Sequence, residues 1–341
     1  AVTSGAWLRD WRVLAIDGFD VDVPDTTENA AEFGYSRTGG GPSAFPKARV
    51  VALTECGTHA FLAAEVGAYA VGEQTLAMPL YARLRRGELL TADRSFYSFA
   101  AWDRAQATGA DLLWRIQAGI RLPVIEVFLA DGTYLTVLMD KTIRGGRRDR
   151  ILAAAADRTL DTCDDAINDR GLPAAHLARV VAYDVPDRSG NGTSELITLA
   201  TTIIDPAQAG PDELAEAYHL RWEHETANDQ LKTHLRGPGR ILRSKLPDLV
   251  HQEIWAWLLI QHAMTVLITP RRRRCRDRPR PDQLHPRTTP RAPLSHRLSG
   301  HFPLKDWTTR LPRIWAQITR TLNPARRHRT CPRAVKRCRR N

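Results

Sequence analysis

A mixed α/β sheet covered by helices and extended by a β-rich insertion is the fold class that this 341-residue sequence predicts, and three observations predict it. Short apolar runs that end in Asp or polar turns alternate with helical patterns over residues 7–117. Two-residue alternation around turn signals then takes over in residues 118–209. At residue 210 a helix opens with Gly210, Pro211 at its first position, and Asp212 and Glu213 in its first turn.

Taken in order, "WRVLAIDG" reads as a short buried strand running into an Asp-Gly turn at Asp17. Residues 49–53 and 58–66 read as two further strands, and residues 73–86 as a helix. "ELLTADRSF" repeats the first theme, with an apolar strand ending at Asp93. A helix over 97–108 and the strand "DLLWRI" complete a mixed sheet flanked by helices. In the insertion, "VIEVFLADGTYLTVLM" reads as a hairpin, "ARVVAYDV" and "SELITLATTII" as a second pair, and residues 148–170 as a helix between them. The resulting organisation is a first core part at 7–117, an insertion at 118–209, core helices at 210–269 and a basic Arg/Pro-rich segment at 270–341.

The net charge of +11 is unevenly spread. From Arg271 onward there are 22 Arg and Lys against three Asp and Glu, leaving 27 against 35 in the first 270 residues. An acidic, carboxylate-rich body joined to a basic segment suits a polyanionic partner, most commonly nucleic acid. Arginine outnumbers lysine 43 to 6, a bias that drift in a GC-rich genome also produces. Five cysteines, odd in number and without CxxC spacing, argue against a disulfide framework and a zinc ribbon and fit a cytoplasmic protein. The apolar run "IWAWLLIQHAMTVLI" is too short and interrupted to span a bilayer, so no membrane partner is expected. The chain starts "AVTSGAW", without an initiator Met, and reads as a fragment.

The stretch "AYHLRWEHETANDQLKTHLRG" carries Tyr218, Arg221, Glu225 and Lys232. At about 100° per residue these fall within a wedge of about 60°, one polar stripe about 20 Å long on one helix. Ala217, Leu220, Ala227, Leu231 and Leu235 take another face, so the spacing predicts a helix that docks on a core and leaves the stripe available. Arg221 and Glu225 alone could be an ordinary surface pair worth a few tenths of a kcal/mol. The two strand-end aspartates weigh against that: carboxylates brought side by side at one sheet edge repel, and hard divalent cations relieve the repulsion. Two such ions about 4 Å apart serve displacement at phosphorus, with Glu225 completing the coordination.

These residues carry a resemblance. Tyr218, Arg221, Glu225 and Lys232 fit the Tyr-x2-Arg-x3-Glu-x6-Lys signature of the DDE transposases of bacterial insertion-sequence family four without a gap. "AIDGFDVDVPDTTEN" resembles that family's first acidic region, "LLTADRSF" its second, and "ILRSKLPDLVHQEI" the segment after the signature helix. The likeness covers about residues 7–268, and "LNPARRHRTCPRAVKR" resembles a family tail. The resemblance implies a ribonuclease-H-like core with the β-rich insertion before the helix of the third acid. It implies Asp17, Asp93 and Glu225 as catalytic metal ligands for two Mg²⁺ ions, with Mn²⁺ substituting. Tyr218, Arg221 and Lys232 would be contacts to the DNA backbone.

The chemistry so implied is cut-and-paste transposition: end cleavage, hairpin formation by the freed 3′-OH, hairpin opening and strand transfer. The partners are double-stranded DNA, both inverted-repeat ends and target, and a second protomer on paired ends. A bacterial cytoplasmic, nucleoid-associated location follows from the same likeness. The family carries a helical DNA-recognition region before the first acid, whereas sixteen residues precede Asp17 here, so poor discrimination between repeat and random DNA is expected of this chain.

Three other readings compete. A ribonuclease-H-like nuclease would use the same acids without needing the four-residue signature. A tyrosine recombinase could use Tyr218 as nucleophile, but the Arg and His motifs that activate such a tyrosine are not evident. A truncated, inactive remnant that only binds DNA is the third. Of the remaining motifs, "PRRRRCRDRPRP" is either a phosphate grip or an Arg/Pro linker, and its prolines favour the linker. "LKDWTTRLPRIWAQITRTL" sets Leu304, Trp307, Leu311, Ile314, Trp315, Ile318 and Leu322 at helical spacing, interrupted by Pro312, and reads as a packing face.

Overall fold

The computed structural model describes residues 7–38, 41–117, 120–128, 131–185, 195–221 and 241–272. Strand β1 (Trp7–Leu8) turns directly into β2 (Trp11–Asp22), which is followed by α1 (Thr27–Phe33), β3 (Tyr35–Thr38), β4 (Gly41–Glu55) and β5 (Phe61–Ala68). Next come α2 (Glu73–Tyr81), β6 (Glu88–Ala92), α3 (Phe99–Gln106) and β7 (Asp111–Arg115). β2 lies between antiparallel β4 and parallel β6, with β5 beyond β4 and β7 beyond β6. The order β5-β4-β2-β6-β7, three antiparallel strands followed by two parallel ones, is the ribonuclease-H-like sheet.

The insertion adds β8 (Glu126–Phe128), β9 (Thr133–Met139), α4 (Gly145–Ala156), β10 (Ala175–Val185) and β11 (Glu195–Thr201). It prolongs the same sheet, because β11 pairs antiparallel with β7 through Leu199↔Arg115 and Thr201↔Leu113. β10, β9 and β8 follow outward. The chain then returns to the core as α5 (Pro211–His219), and α6 (Pro247–Arg272) is the last described element.

Period-two alternation assigns the two faces of the sheet. Leu14 and Ile16 of β2 and Leu90 and Ala92 of β6 pack under α2 and α3 with Tyr81, Trp102 and Trp114. On the other face Leu89, Leu113 and Leu199 lie under α5, and Phe19, Val21 and Val50 under α6. Local signals fix the helix starts. The Thr26 and Ser98 hydroxyls accept from the Asn29 and Ala101 amides, both at 3.2 Å. In α5 the Glu213 carboxylate accepts from the Gly210 amide at 2.9 Å, with Pro211 needing no partner.

Several expected boundaries differ. Asp17-Gly18 is not a turn: both residues lie inside the twelve-residue β2 and pair with Ala52 and Val51. α2 ends at Tyr81, since Arg83 and Leu84 donate to Leu80 and Tyr81 carbonyls in tighter bonds that bring Leu84 back to the core. α4 stops at Ala156, where Arg158 takes a left-handed φ of 60°, and short 3-10 turns replace the expected helix up to residue 170. α5, which carries the start of the expected stripe, ends at His219, with Arg221 donating to the Tyr218 carbonyl at 3.0 Å in the turn beyond it; the rest of the stripe lies outside the described residues. Among the described residues, no helix is long and apolar enough to cross a membrane.

Candidate active site

The parallel pairing of β2 with β6 sets Ile16 opposite Ala92, so the next residue on each strand is an aspartate. Asp17 shares its face with Val13 and Ala15, which pack against Leu220 beyond α5, and Asp93 shares its face with Leu89. Both carboxylates therefore stand on the α5 side of the sheet, at the carboxyl end of the parallel pair. The signal for this was the repeated apolar run ending in Asp, although only β6 actually ends there.

Residues at the end of α5 reach the pair. The Tyr218 hydroxyl donates to Asp93 Oδ1 at 3.4 Å, and Arg221 Nη1 lies 3.7 Å from Asp17 Oδ2. Asp17 Oδ1 also accepts from the Gly18 amide at 2.9 Å, which fixes the carboxylate against its own strand. The Arg221 guanidinium is 5.7 Å from the Tyr218 ring centre, within cation–π range. Neither side chain is the solvent-facing stripe that spacing predicted: Tyr218 is 2% exposed and Arg221 7%. The reason is the docking of α5 across β6, β7 and β11, which turns this part of the stripe down onto the sheet. Glu225 and Lys232 lie outside the described residues.

Burial, then the charge of Asp93, pushes the Tyr218 hydroxyl up to about 12 against the opposing pull of Arg221 and Arg115. Tyr218 is thus a protonated donor across the physiological range. Arg115, the last residue of β7, was not anticipated, since "DLLWRI" reads only as a strand. Its charge reaches Tyr218 and favours the ionised hydroxyl, against the burial that opposes it.

Glu73 was also missed. It opens α2 on the opposite face of the sheet, and its carboxylate lies over Gly18: a Cβ there would sit 2.5 Å from Glu73 Oε1. Burial raises the Glu73 pKa above the ordinary glutamate value, as do Asp20 and Asp93, while Arg49 opposes them. No sequence spacing links residues 18 and 73, so only the fold reveals the contact. Gly18→Val should destabilise the fold by about 1–3 kcal/mol by overpacking, and Glu73→Ala in the same chain should recover most of that. Urea denaturation of both variants checks it, and a fully stable single variant would mean that Glu73 simply swings aside.

The donor chemistry fits a hard divalent cation, because two carboxylates on neighbouring strands offer oxygen ligands from one side. Among the described residues, no three His, Cys, Asp or Glu side chains converge closely enough to hold an ion.

Known proteins are similar to this chain. The family model described as "Transposase DDE domain" matches residues 9–261. The transposase InsG for insertion sequence element IS4 of Escherichia coli is 28% identical over 249 residues, covering 72% of this chain and 50% of that protein. The chain thus spans about half the length of the curated relative it matches. A solved structure, the cryo-electron-microscopy synaptic complex of piggyBac transposase with hairpin DNA, aligns at a TM-score of 0.39 and 9% identity, over 90% of this chain and 57% of that one. With the family model spanning most of its length, the chain belongs to the DDE transposases.

Proposed function

We propose that this chain carries the catalytic core of a transposase that moves DNA by cut-and-paste chemistry. The observation that supports this best is the register of β2 and β6, which brings Asp17 and Asp93 together under Tyr218 and Arg221. In this reading residues 7–117 and 210–269 form the catalytic core, 118–209 the insertion and 270–341 a basic segment. Asp17, Asp93 and Glu225 hold two Mg²⁺ ions, for which Mn²⁺ substitutes. The ions supply Lewis-acid stabilisation of charge on the attacking and leaving oxygens at phosphorus.

The remaining work falls to side chains. Arg221 takes a phosphate oxygen near Asp17 through its planar fork, and Tyr218 donates its hydroxyl to the backbone of the transposon end. A hydroxyl with its pKa at about 12 is a poor nucleophile at neutral pH, which disfavours a covalent tyrosyl–DNA link. Lys232 adds a point charge to the same strand. The partners are double-stranded DNA, as transposon end and as target, and a second protomer on paired ends.

Incubation with a duplex in which the element's terminal repeat runs on into flanking DNA should give cleavage that needs Mg²⁺ or Mn²⁺ and a hairpin product on denaturing gels. Cleavage insensitive to EDTA, or a covalent adduct at Tyr218, would overturn the reading. The DNA contacts have their own test. Arg221→Ala and Lys232→Ala should each flatten the slope of log K against log salt by about one unit on pre-cut end DNA, as one lost phosphate contact requires. Unchanged slopes would leave Arg221 as an internal partner of Asp17 and Tyr218.

A further inference from the structure

Helix α6 is apolar on two opposite faces, and only one of them is covered. Val250, Ile254 and Leu258 are buried against β2, β4 and β5 together with Phe19 and Phe61. Leu249, Trp255, Leu259 and Ile260 are 45%, 46%, 68% and 50% exposed. With Gln252, Ala256 and Ala263, also exposed, they recur at the three- and four-residue steps of one helix stripe. The stripe spans about 140° at about 100° per residue, centred opposite the buried face. A helix apolar on all sides is a buried helix, and a continuous exposed stripe with a Trp in its middle marks an interaction surface.

The same chain contains a segment of matching character. In residues 304–322, Leu304, Trp307, Leu311, Ile314, Trp315, Ile318 and Leu322 fall within an arc of about 100° if the segment is helical. Arg313 and Arg320 fall on the reverse side. The functional reading above makes no use of this face. Thirty-one residues separate the end of α6 at Arg272 from Leu304, many times the length that a reversal of direction between two antiparallel helices requires. That separation contains "RRCRDRPRPDQ", whose prolines disfavour a continuous helix across it.

We infer that the exposed Leu249–Trp255–Leu259–Ile260 stripe of α6 is the docking site of this chain's own segment 304–322, held in cis. Docking buries both Trp-containing faces and leaves Arg313 and Arg320 outward, on the side of the molecule that carries α6. A second copy of the chain is the competing occupant, since two such stripes could also pack on each other.

The test places a photo-crosslinking amino acid, p-benzoylphenylalanine, at position 259 of the full chain, with the adduct mapped by mass spectrometry. The expected result is a crosslink from 259 to residues 304–322 within the monomer band, at a yield independent of protein concentration. A dimer band whose yield rises with concentration, or an adduct mapping elsewhere, would overturn the assignment. Leu259→Asp and Ile314→Asp supply a check that does not need the probe. Each should speed proteolytic cutting between 273 and 303 several-fold, and the double variant should be no faster than either single one. Additive acceleration would mean that the two faces do not meet.

Discussion

Asp93→Asn should lower strand cleavage in Mg²⁺ or Mn²⁺ by at least about 10²- to 10³-fold, the scale of losing one preorganised electrostatic group at a reacting centre. Asp17→Asn and Glu225→Gln should do the same. The substitutions are close to isosteric, so an Asn at 17 still accepts the Gly18 amide and the β2–β6 register has no reason to move. DNA affinity at matched salt should stay the same or rise slightly. Asp17 is 3.7 Å from Arg221, and removing its charge leaves that guanidinium more available to phosphate. Cleavage of an uncut duplex that spans the transposon end, with affinity for it measured in the same buffer, separates the two effects. Full cleavage by the Asp93 variant would sink the assignment of the acids, whereas lost affinity in all three would point to misfolding instead.

β6 and β7 could be read in the sequence because each is a short apolar run whose two faces are both covered, and such runs stand out from their polar surroundings. What local pattern could not show was pairing over distance. That β11 adds to β7, making the insertion a continuation of the core sheet, depends on residues more than eighty positions apart. The Asp-Gly at 17–18 misled for a related reason. Asp-Gly normally signals a turn, but here Gly18 lies in mid-strand, where the carboxylate of Glu73 rests on the backbone from the other side. Tyr218 and Arg221 were found by their spacing with Glu225 and Lys232. Their burial was not legible, because helical periodicity gives relative angles and cannot say which angle meets the sheet.

The largest stability effect is expected at Arg179, a residue no motif singles out. It lies on β10 between Leu135 of β9 and Thr201 of β11, and it is fully enclosed. Its guanidinium donates to Thr133 Oγ1 at 2.9 Å, to Asp131 Oδ2 at 2.8 Å and to the Ala209 carbonyl at 2.8 Å. Ala209 immediately precedes the cap of α5, so one buried cation ties the insertion to the helix that carries Tyr218. Arg179→Met keeps much of the volume but removes every guanidinium donor, leaving the Ala209 carbonyl without this partner and the largely covered Asp131 carboxylate with only its Thr133 hydrogen bonds. Breaking a buried pair in this way costs about 3–5 kcal/mol. The midpoint of urea unfolding should fall accordingly, with its slope unchanged.

Acid unfolding adds a readout that simple loss of packing would not move. Burial pushes the Asp131 carboxyl up, but the Thr133 hydroxyl and amide together with Arg179 outweigh it and hold the group below its ordinary range. A depressed carboxylate contributes stability that is complete above its unfolded pKa and disappears as the pH falls through the folded value. In Arg179→Met the share due to the guanidinium is already gone at neutral pH, so stability should fall less steeply on acidification than in the parent chain. Arg179→Met combined with Asp131→Asn should recover part of the loss, since the carboxylate no longer lacks its cation. A single variant that costs less than about 1 kcal/mol, with an acid limb parallel to that of the parent, would show that the insertion and α5 are held together by their apolar contacts and not by this clamp.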